Sequence, residues 1–339
     1  MTYLSQLSSL NPVELDAGSV FSGKASGRVI KGFEEKTVFT PKADMDYAFH
    51  ETMREIIVWL MAPPHPLYVY GPTGSGKTSL IRQLAAKMNY PIFDVTGHGR
   101  MEFCDLVGHL SVTDGTMTFQ YGPLALAMKY GGMFLINEID LMEPSTLTGL
   151  NGVLDGDPLT IPENGGEVIV PHPMFRFVAT ANTNGGSDET GLYQGALRQN
   201  LAFMDRFWLC EVPYPPAIAE NNLLAKTAPA IPENIRKTMV AFAGEVRRLF
   251  LGEGSDQQFG ETIEVTFSTR TLLRWADLTQ RFHPLARQGV QPLTYALDRA
   301  LGFRASKETR SMLHELAQRM FPQLSSDMVN ADEQEVATG

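Results

Sequence analysis

An eight-residue run, Gly71-Pro72-Thr73-Gly74-Ser75-Gly76-Lys77-Thr78, constrains this chain more than any other part of it. It follows a short apolar, β-rich run, Leu67-Tyr68-Val69-Tyr70, and precedes a stretch with apolar residues at helical intervals over 79–89. A strand that feeds a glycine-rich turn and then a helix brings backbone amides together at the helix start, where the dipole is positive. Such a turn cradles phosphate oxygens. Lys77 is placed to reach the β and γ phosphates, and Thr78 to offer its hydroxyl to Mg2+. The expected ligands are therefore ATP and Mg2+, with residues Gly71 to Thr78 as the nucleotide-binding loop.

Composition narrows the setting. With 339 residues, 43% of them hydrophobic, the chain has ample material for a packed core in one large domain or two moderate ones. Only 19% are charged, and the formal net charge is −10, which argues against non-specific DNA binding as the main task. A nucleic-acid partner is not indicated. Cys104, Cys210 and the seven histidines fit no metal-ligand spacing, so no structural metal is expected. No apolar run approaches 18 residues, and no charged segment followed by an apolar one opens the sequence. The reading is a cytoplasmic protein without a membrane partner or signal peptide.

Along the chain, residues 1–45 are rich in Ser, Gly and Lys and read as an N-terminal extension or partner-binding arm. Helical spacing over 47–61 ends at Pro63, Pro64 and Pro66. Besides 67–70, buried strands are expected at 92–95, 133–136, 175–179 and 207–212, separated by helix-compatible stretches. That alternation implies an α/β fold with a parallel five-stranded sheet. Residues 111–119 and 159–170 alternate around turn signals and read as inserted β-hairpins. After Pro213 the character turns helical, at 217–226, 233–250, 269–282 and in two segments over 293–320. The expected domains are thus an extension at 1–45, an α/β nucleotide-binding core at 46–214, an α-helical lid at 215–326 and a flexible tail at 327–339.

A hydrolytic site built on such a loop needs a second strand that delivers a magnesium-facing acid and a carboxylate to activate water. Met133-Phe134-Leu135-Ile136-Asn137-Glu138 has that form, with Glu138 as the candidate base. Asn137 stands where an Asp is usual, so its amide oxygen could address magnesium or its bound water but supplies no charge. A third apolar strand ends in Thr180-Ala181-Asn182-Thr183, and Asn182 is nominated to hold the attacking water. His98 receives no role, and Phe103, Phe119, Phe203 and Met204 are expected to pack rather than bind.

These motifs, together with Met204-Asp205-Arg206-Phe207, resemble the MoxR branch of the AAA+ ATPases. Within it, Pro171-His172-Pro173-Met174-Phe175-Arg176-Phe177, the Ala-Thr-Ala-Asn-Thr that follows and Thr190-Gly191-Leu192-Tyr193-Gln194-Gly195 look like the small ATPase subunit of aerobic cobaltochelatase. The resemblance spans about residues 45–215 strongly and the helical region weakly. It implies that Arg206 is an arginine finger reaching a neighbouring subunit's ATP, with Arg198 as the competing candidate. It also implies that Arg270, in Phe267-Ser268-Thr269-Arg270-Thr271, lies over the γ phosphate of its own subunit, although a capped helix start would look much the same. The segments 108–122 and 159–170 match the pair of hairpin inserts of this clade.

By that resemblance the chain forms a homo-oligomer, a hexameric ring, that couples ATP hydrolysis to remodelling of a client with a von Willebrand A domain partner. Three alternatives stay open: a cobaltochelatase-type subunit for metal insertion, a DNA- or mobile-element-associated motor, and a nucleotide-gated scaffold that Asn137 makes slow.

Overall fold

In the computed structural model, which describes residues 3–45, 47–113, 115–186, 193, 195–250 and 264–322, the apolar runs of the middle of the chain become one parallel sheet. The described residues fall into two compact units. One holds those up to Pro72 together with Gly76–Pro213, and the other holds Thr73–Ser75 and those from Tyr214 onward.

The first unit opens with α1 (Tyr3–Ser8), β1 (Pro12–Asp16), α2 (Ala17–Ser22) and β2 (Val29–Phe33), with β1 and β2 antiparallel. It continues through α3 (Met53–Met61), β3 (Leu67–Tyr70), α4 (Lys77–Lys87), β4 (Ile92–Thr96) and α5 (Phe103–Val107). A hairpin of β5 (Gly108–Thr113) and β6 (Thr116–Tyr121) precedes α6 (Pro123–Tyr130) and β7 (Met133–Asn137). The short helices α7 (Pro144–Thr148) and α8 (Asn151–Leu154) lead to a second hairpin, β8 (Leu159–Ile161) and β9 (Glu167–Ile169). Then come β10 (Arg176–Ala181), α9 (Leu201–Met204) and β11 (Trp208–Glu211).

The sheet order is β11-β3-β10-β7-β4, and every pairing is parallel. The central strands are near-continuous apolar runs because both their faces are covered. Along β7, Phe134 and Ile136 join the core cluster that holds Leu124 and Phe177, whereas Met133 and Leu135 join the opposite one with Leu80, Ile81 and Leu84 of α4. Edge strands β11 and β4 expose alternate residues. The registers pair Ala181 with Tyr70 and Thr96 with Asn137, so β3, β10 and β7 all finish at one carboxyl edge.

Two local features differ from the sequence reading. The helix expected over 47–61 starts only at Met53. His50 Nδ1 lies 2.6 Å from Thr52 Oγ1, which donates to the carbonyl of Glu211 at 3.1 Å, and these bonds offer the segment an alternative to a helical turn. Residues 3–45, expected as an extension, contribute Ala17, Ile30 and Phe33 to the same core cluster as α4. Phe33 N donates to the carbonyl of Met88 at 2.9 Å, and the Phe33 and Tyr90 rings meet edge to face at 5.1 Å. The tail expected at 327–339 lies outside the described residues, as does most of 190–194.

The second unit carries α10 (Ala217–Thr227), α11 (Glu233–Phe250), α12 (Thr269–Phe282), α13 (Pro292–Ala300) and α14 (Lys307–Met320). Their amphipathic faces close on Phe242, Phe267 and Trp275. Trp275 is fully buried and donates Nε1–H to the carbonyl of Leu293 at 2.9 Å, which satisfies its one polar atom.

Candidate functional site

The carboxyl ends of β3, β7 and β10 converge because their registers align them, and in open parallel sheets that edge is where ligands sit. Each end carries a nominated residue. The turn after β3 is the glycine loop, where Gly71 adopts φ 147° and a Cβ there would come within 2.3 Å of the carbonyl oxygen of Val212, so no side chain fits. Gly76, at φ 101°, caps α4, whose first residue is Lys77.

Lys77 is buried, at 9% exposure, and its ammonium folds back over the loop. It donates to the carbonyls of Gly71 at 2.8 Å and Pro72 at 2.9 Å and to Asn182 Oδ1 at 3.1 Å. Thr78 Oγ1 donates to Asn137 Oδ1 at 2.8 Å, and Thr180 Oγ1 lies 3.4 Å from that same oxygen. The Asn137 amide nitrogen donates to the carbonyl of Val95 at 3.3 Å. Strand β4 thereby orients the amide so that its oxygen faces Thr78. At this edge Lys77 thus pairs with Asn182, and Thr78 with Asn137.

Glu138 follows at φ 55°, ψ 44°, a left-handed conformation that is costly for a residue with a Cβ and concentrates at functional turns. Its side chain is exposed. The backbone behind it is held tightly: Gly97 N donates to the carbonyl of Asn137 at 2.7 Å, and a Cβ on Gly97 would come within 2.7 Å of the Glu138 carbonyl oxygen. Glycine at 97 is therefore a packing requirement of the Glu138 turn.

Two features of the loop suit a nucleotide with magnesium. Ser75, 5% exposed, has a buried Oγ with no hydrogen-bond partner among the described residues, a polar atom that a phosphate oxygen would satisfy. Thr78 Oγ1 and Asn137 Oδ1 are a hard-oxygen pair suited to Mg2+ or its bound water, and both are uncharged.

Three arginines are also nominated: Arg206, its competitor Arg198, and Arg270. Arg206, between α9 and β11, pairs bidentately with Asp155, Nε to Oδ1 and Nη2 to Oδ2, each at 2.9 Å, while Nη1 donates to the carbonyl of Ala202. Hydrogen bonds to Asp155 raise the guanidinium pKa above its ordinary value. Arg198 is exposed and has no side-chain partner among the described residues. In the helical unit, Arg270 is the second residue of α12 and is exposed, just after the capping Ser268, whose Oγ accepts from Thr271 N at 3.1 Å. Phe203 is core, and Phe103, Phe119 and Met204 pack against that core.

Two residues were missed by sequence reasoning. Asp155 lies 51 positions from Arg206, and no local spacing signals the pair. Asp140 is fully buried behind Glu138, and its Oδ2 accepts from the backbone amides of Asn182 at 2.9 Å and Thr183 at 3.1 Å. Its signal was an acid enclosed by apolar neighbours in Ile139-Asp140-Leu141-Met142. Nearby, burial first and then the Asp140 carboxyl push the Tyr68 phenol far above its ordinary value.

Comparisons with known proteins place the chain in a family. Residues 66–207 match the AAA domain of the dynein-related subfamily, and residues 220–320 match the CbbQ/NirQ/NorQ C-terminal domain. The aerobic cobaltochelatase subunit CobS of Sinorhizobium sp is 30% identical over 290 residues, which cover 83% of this chain and 84% of CobS. The chain belongs to the CbbQ/NirQ/CobS type of AAA+ ATPase. The denitrification regulatory protein NirQ of Stutzerimonas stutzeri is 29% identical over 210 residues, covering 61% of this AAA+ ATPase and 70% of NirQ. Midasin of Dictyostelium discoideum is 33% identical over 221 residues, and those residues are 64% of this chain but 4% of midasin. Every nominated residue from Gly71 to Arg206 of this AAA+ ATPase falls within the first match, and Arg270 within the second.

Proposed function

We propose that this chain forms a homo-oligomeric, hexameric ring in the cytoplasm that binds and hydrolyses ATP with Mg2+ and uses the cycle to remodel or activate a client protein, with a von Willebrand A domain protein as partner. One observation carries the hydrolytic part: at the carboxyl edge of the sheet Lys77 bonds Asn182 and Thr78 bonds Asn137, with Glu138 next in the chain after Asn137.

The residue roles follow from that arrangement. Lys77 and the loop from Gly71 to Thr78 bind the phosphates, and Lys77 exchanges its carbonyl partners for phosphate oxygens. Thr78 and Asn137 would hold Mg2+, which would supply positive charge to the phosphates. Asn182 orients the attacking water, and Glu138 accepts its proton. Arg206 of a neighbouring subunit stabilises the charge that develops, and a finger of this kind is worth about a thousandfold in turnover. In the single chain that guanidinium is parked on Asp155, an exposed carboxylate, and exposed pairs exchange readily. Arg270 senses the γ phosphate of its own subunit. Among the described residues no helix is long and apolar enough to cross a membrane.

A second reading, a subunit of a metal-inserting enzyme, is favoured by the match to most of CobS. Both readings require the same ATPase ring, and they part at the partner.

The test is subunit mixing. Purified protein should hydrolyse ATP in Mg2+, Arg206→Ala and Glu138→Gln should each lose turnover, and mixing the two should restore part of it, because each supplies what the other lacks. Full turnover in Arg206→Ala alone would remove the shared site from the account.

A further inference from the structure

Asp140 is fully buried, where a carboxyl group is costly unless donors converge on it. They do, and on one oxygen. Oδ2 accepts from Asn182 N at 2.9 Å, Thr183 N at 3.1 Å and Thr183 Oγ1 at 3.4 Å, while Oδ1 has no hydrogen-bond partner among the described residues. The backbone carbonyl of the same residue accepts from Leu197 N at 2.7 Å. Asp140 also sits in the single 3-10 turn Ile139–Leu141 that begins right after Glu138.

One residue therefore ties three segments: the turn that carries Glu138, the turn after β10 that carries Asn182, and the segment that runs through Arg198 to α9 and Arg206. The Asn182 side chain reaches Lys77 at 3.1 Å, and that reach depends on where the Asn182 backbone is held. Two adjacent backbone amides at a strand end have no strand partner there, and a side chain that cannot accept would leave both buried and unpaired. A carboxyl group is the compact acceptor that meets both. An amide could present its oxygen to them, with its nitrogen then at the Oδ1 position.

We propose that Asp140 is a positioning residue for ATP hydrolysis, acting through Asn182 to hold the water-orienting amide in register with Glu138 and Lys77. The proposal rests on the reading that Lys77, Glu138 and Asn182 form the hydrolytic site. Asp140, fully buried, acts on that site through the backbone amides of Asn182 and Thr183.

The experiment is a double-mutant cycle on the full chain, comparing wild type, Asp140→Ala, Asn182→Ala and the double variant for kcat and for binding of a fluorescent ADP analogue. Asp140→Ala should lower kcat by about 10- to 100-fold, the range found when a supporting partner of a site residue is removed. Analogue affinity should change by less than about threefold, because the loop from Gly71 to Thr78 is untouched. In the Asn182→Ala background the same substitution should cost no more than about twofold further. Asp140→Asn should recover part of the loss, and it replaces Asp140→Ala in the cycle if the latter does not fold. Multiplicative losses in the double variant, or affinity falling in step with kcat, would overturn the positioning role. A wild-type protein without turnover, or an Asn182→Ala variant as active as wild type, would instead overturn the hydrolytic reading on which the proposal stands.

Discussion

The carboxyl edge of the sheet and the start of α12 both carry nominated nucleotide-facing residues, and they are built in opposite ways. At the sheet edge the nominated groups bond one another: Lys77 to Asn182, and Thr78 to Asn137. At the start of α12 the nominated group, Arg270, is exposed, and the bonding belongs to its neighbours. Thr269 Oγ1 donates to Glu220 Oε1 at 2.6 Å, Arg247 pairs with both Glu220 oxygens at 3.0 and 2.7 Å, and Arg247 Nε donates to the carbonyl of Phe267 at 2.6 Å. The Arg247 guanidinium also stacks 4.0 Å above the Tyr214 ring. In the first region, substitutions should be felt as chemistry. In the second, they should be felt as folding when they touch the buried pair and as chemistry only at Arg270.

The largest test of that contrast is in the helical unit. Glu220 is 1% exposed, so Glu220→Ala strands Arg247 and should cost about 3–5 kcal/mol in denaturant unfolding, whereas a joint apolar replacement of both partners should recover most of it. A cost near zero for Glu220→Ala would break the comparison.

Next, Lys77→Ala should weaken nucleotide binding about a hundredfold, or roughly 2.7 kcal/mol, by calorimetric titration. Arg270→Ala should leave unfolding within about 0.5 kcal/mol of wild type, as an exposed change away from packing does. Asn137 gives a further test. Asn137→Asp adds charge where the oxygen already faces Thr78, and should lower the Mg2+ concentration for half-maximal turnover by about three- to tenfold.

The smallest concerns the hairpins. Lys129 Nζ contacts Glu167 Oε1 at 2.7 Å, and Tyr121 and Asn164 donate to Glu167 Oε2, both at 2.6 Å. Burial pushes the Glu167 carboxyl up, but these bonds outweigh it and hold it below its ordinary value of 4.5. Its contribution is therefore present in full above pH 4.5 and is lost as pH falls through the depressed folded value. Glu167→Gln should lower stability by under about 1 kcal/mol at neutral pH, a difference that closes in acid melts.

Much of this arrangement was legible in the sequence for a physical reason. Strands buried on both faces are near-continuously apolar, so β3, β7 and β10 stood out, and the polar residues that end them, Asn137 and Asn182, were marked by the break in that pattern. Side-chain bonds that compete with the backbone were not legible. The Thr52 bond to Glu211, 159 positions away, delays α3 although 47–52 keeps helical spacing. Asp140 was passed over because burial of an acid is decided by what folds over it, here the turn at Asn182 and Thr183, 42 and 43 positions on. For the same reason Arg206 gave no hint of Asp155.

The central claim, that the strained Glu138 turn beside Lys77 and Asn182 is a hydrolytic site, is tested most directly by Glu138→Gln. Nucleotide binding and turnover should be measured on the same preparation. Affinity should equal that of wild type, with turnover reduced by about a hundredfold or more, as loss of a general base requires. Turnover equal to that of wild type would contradict it.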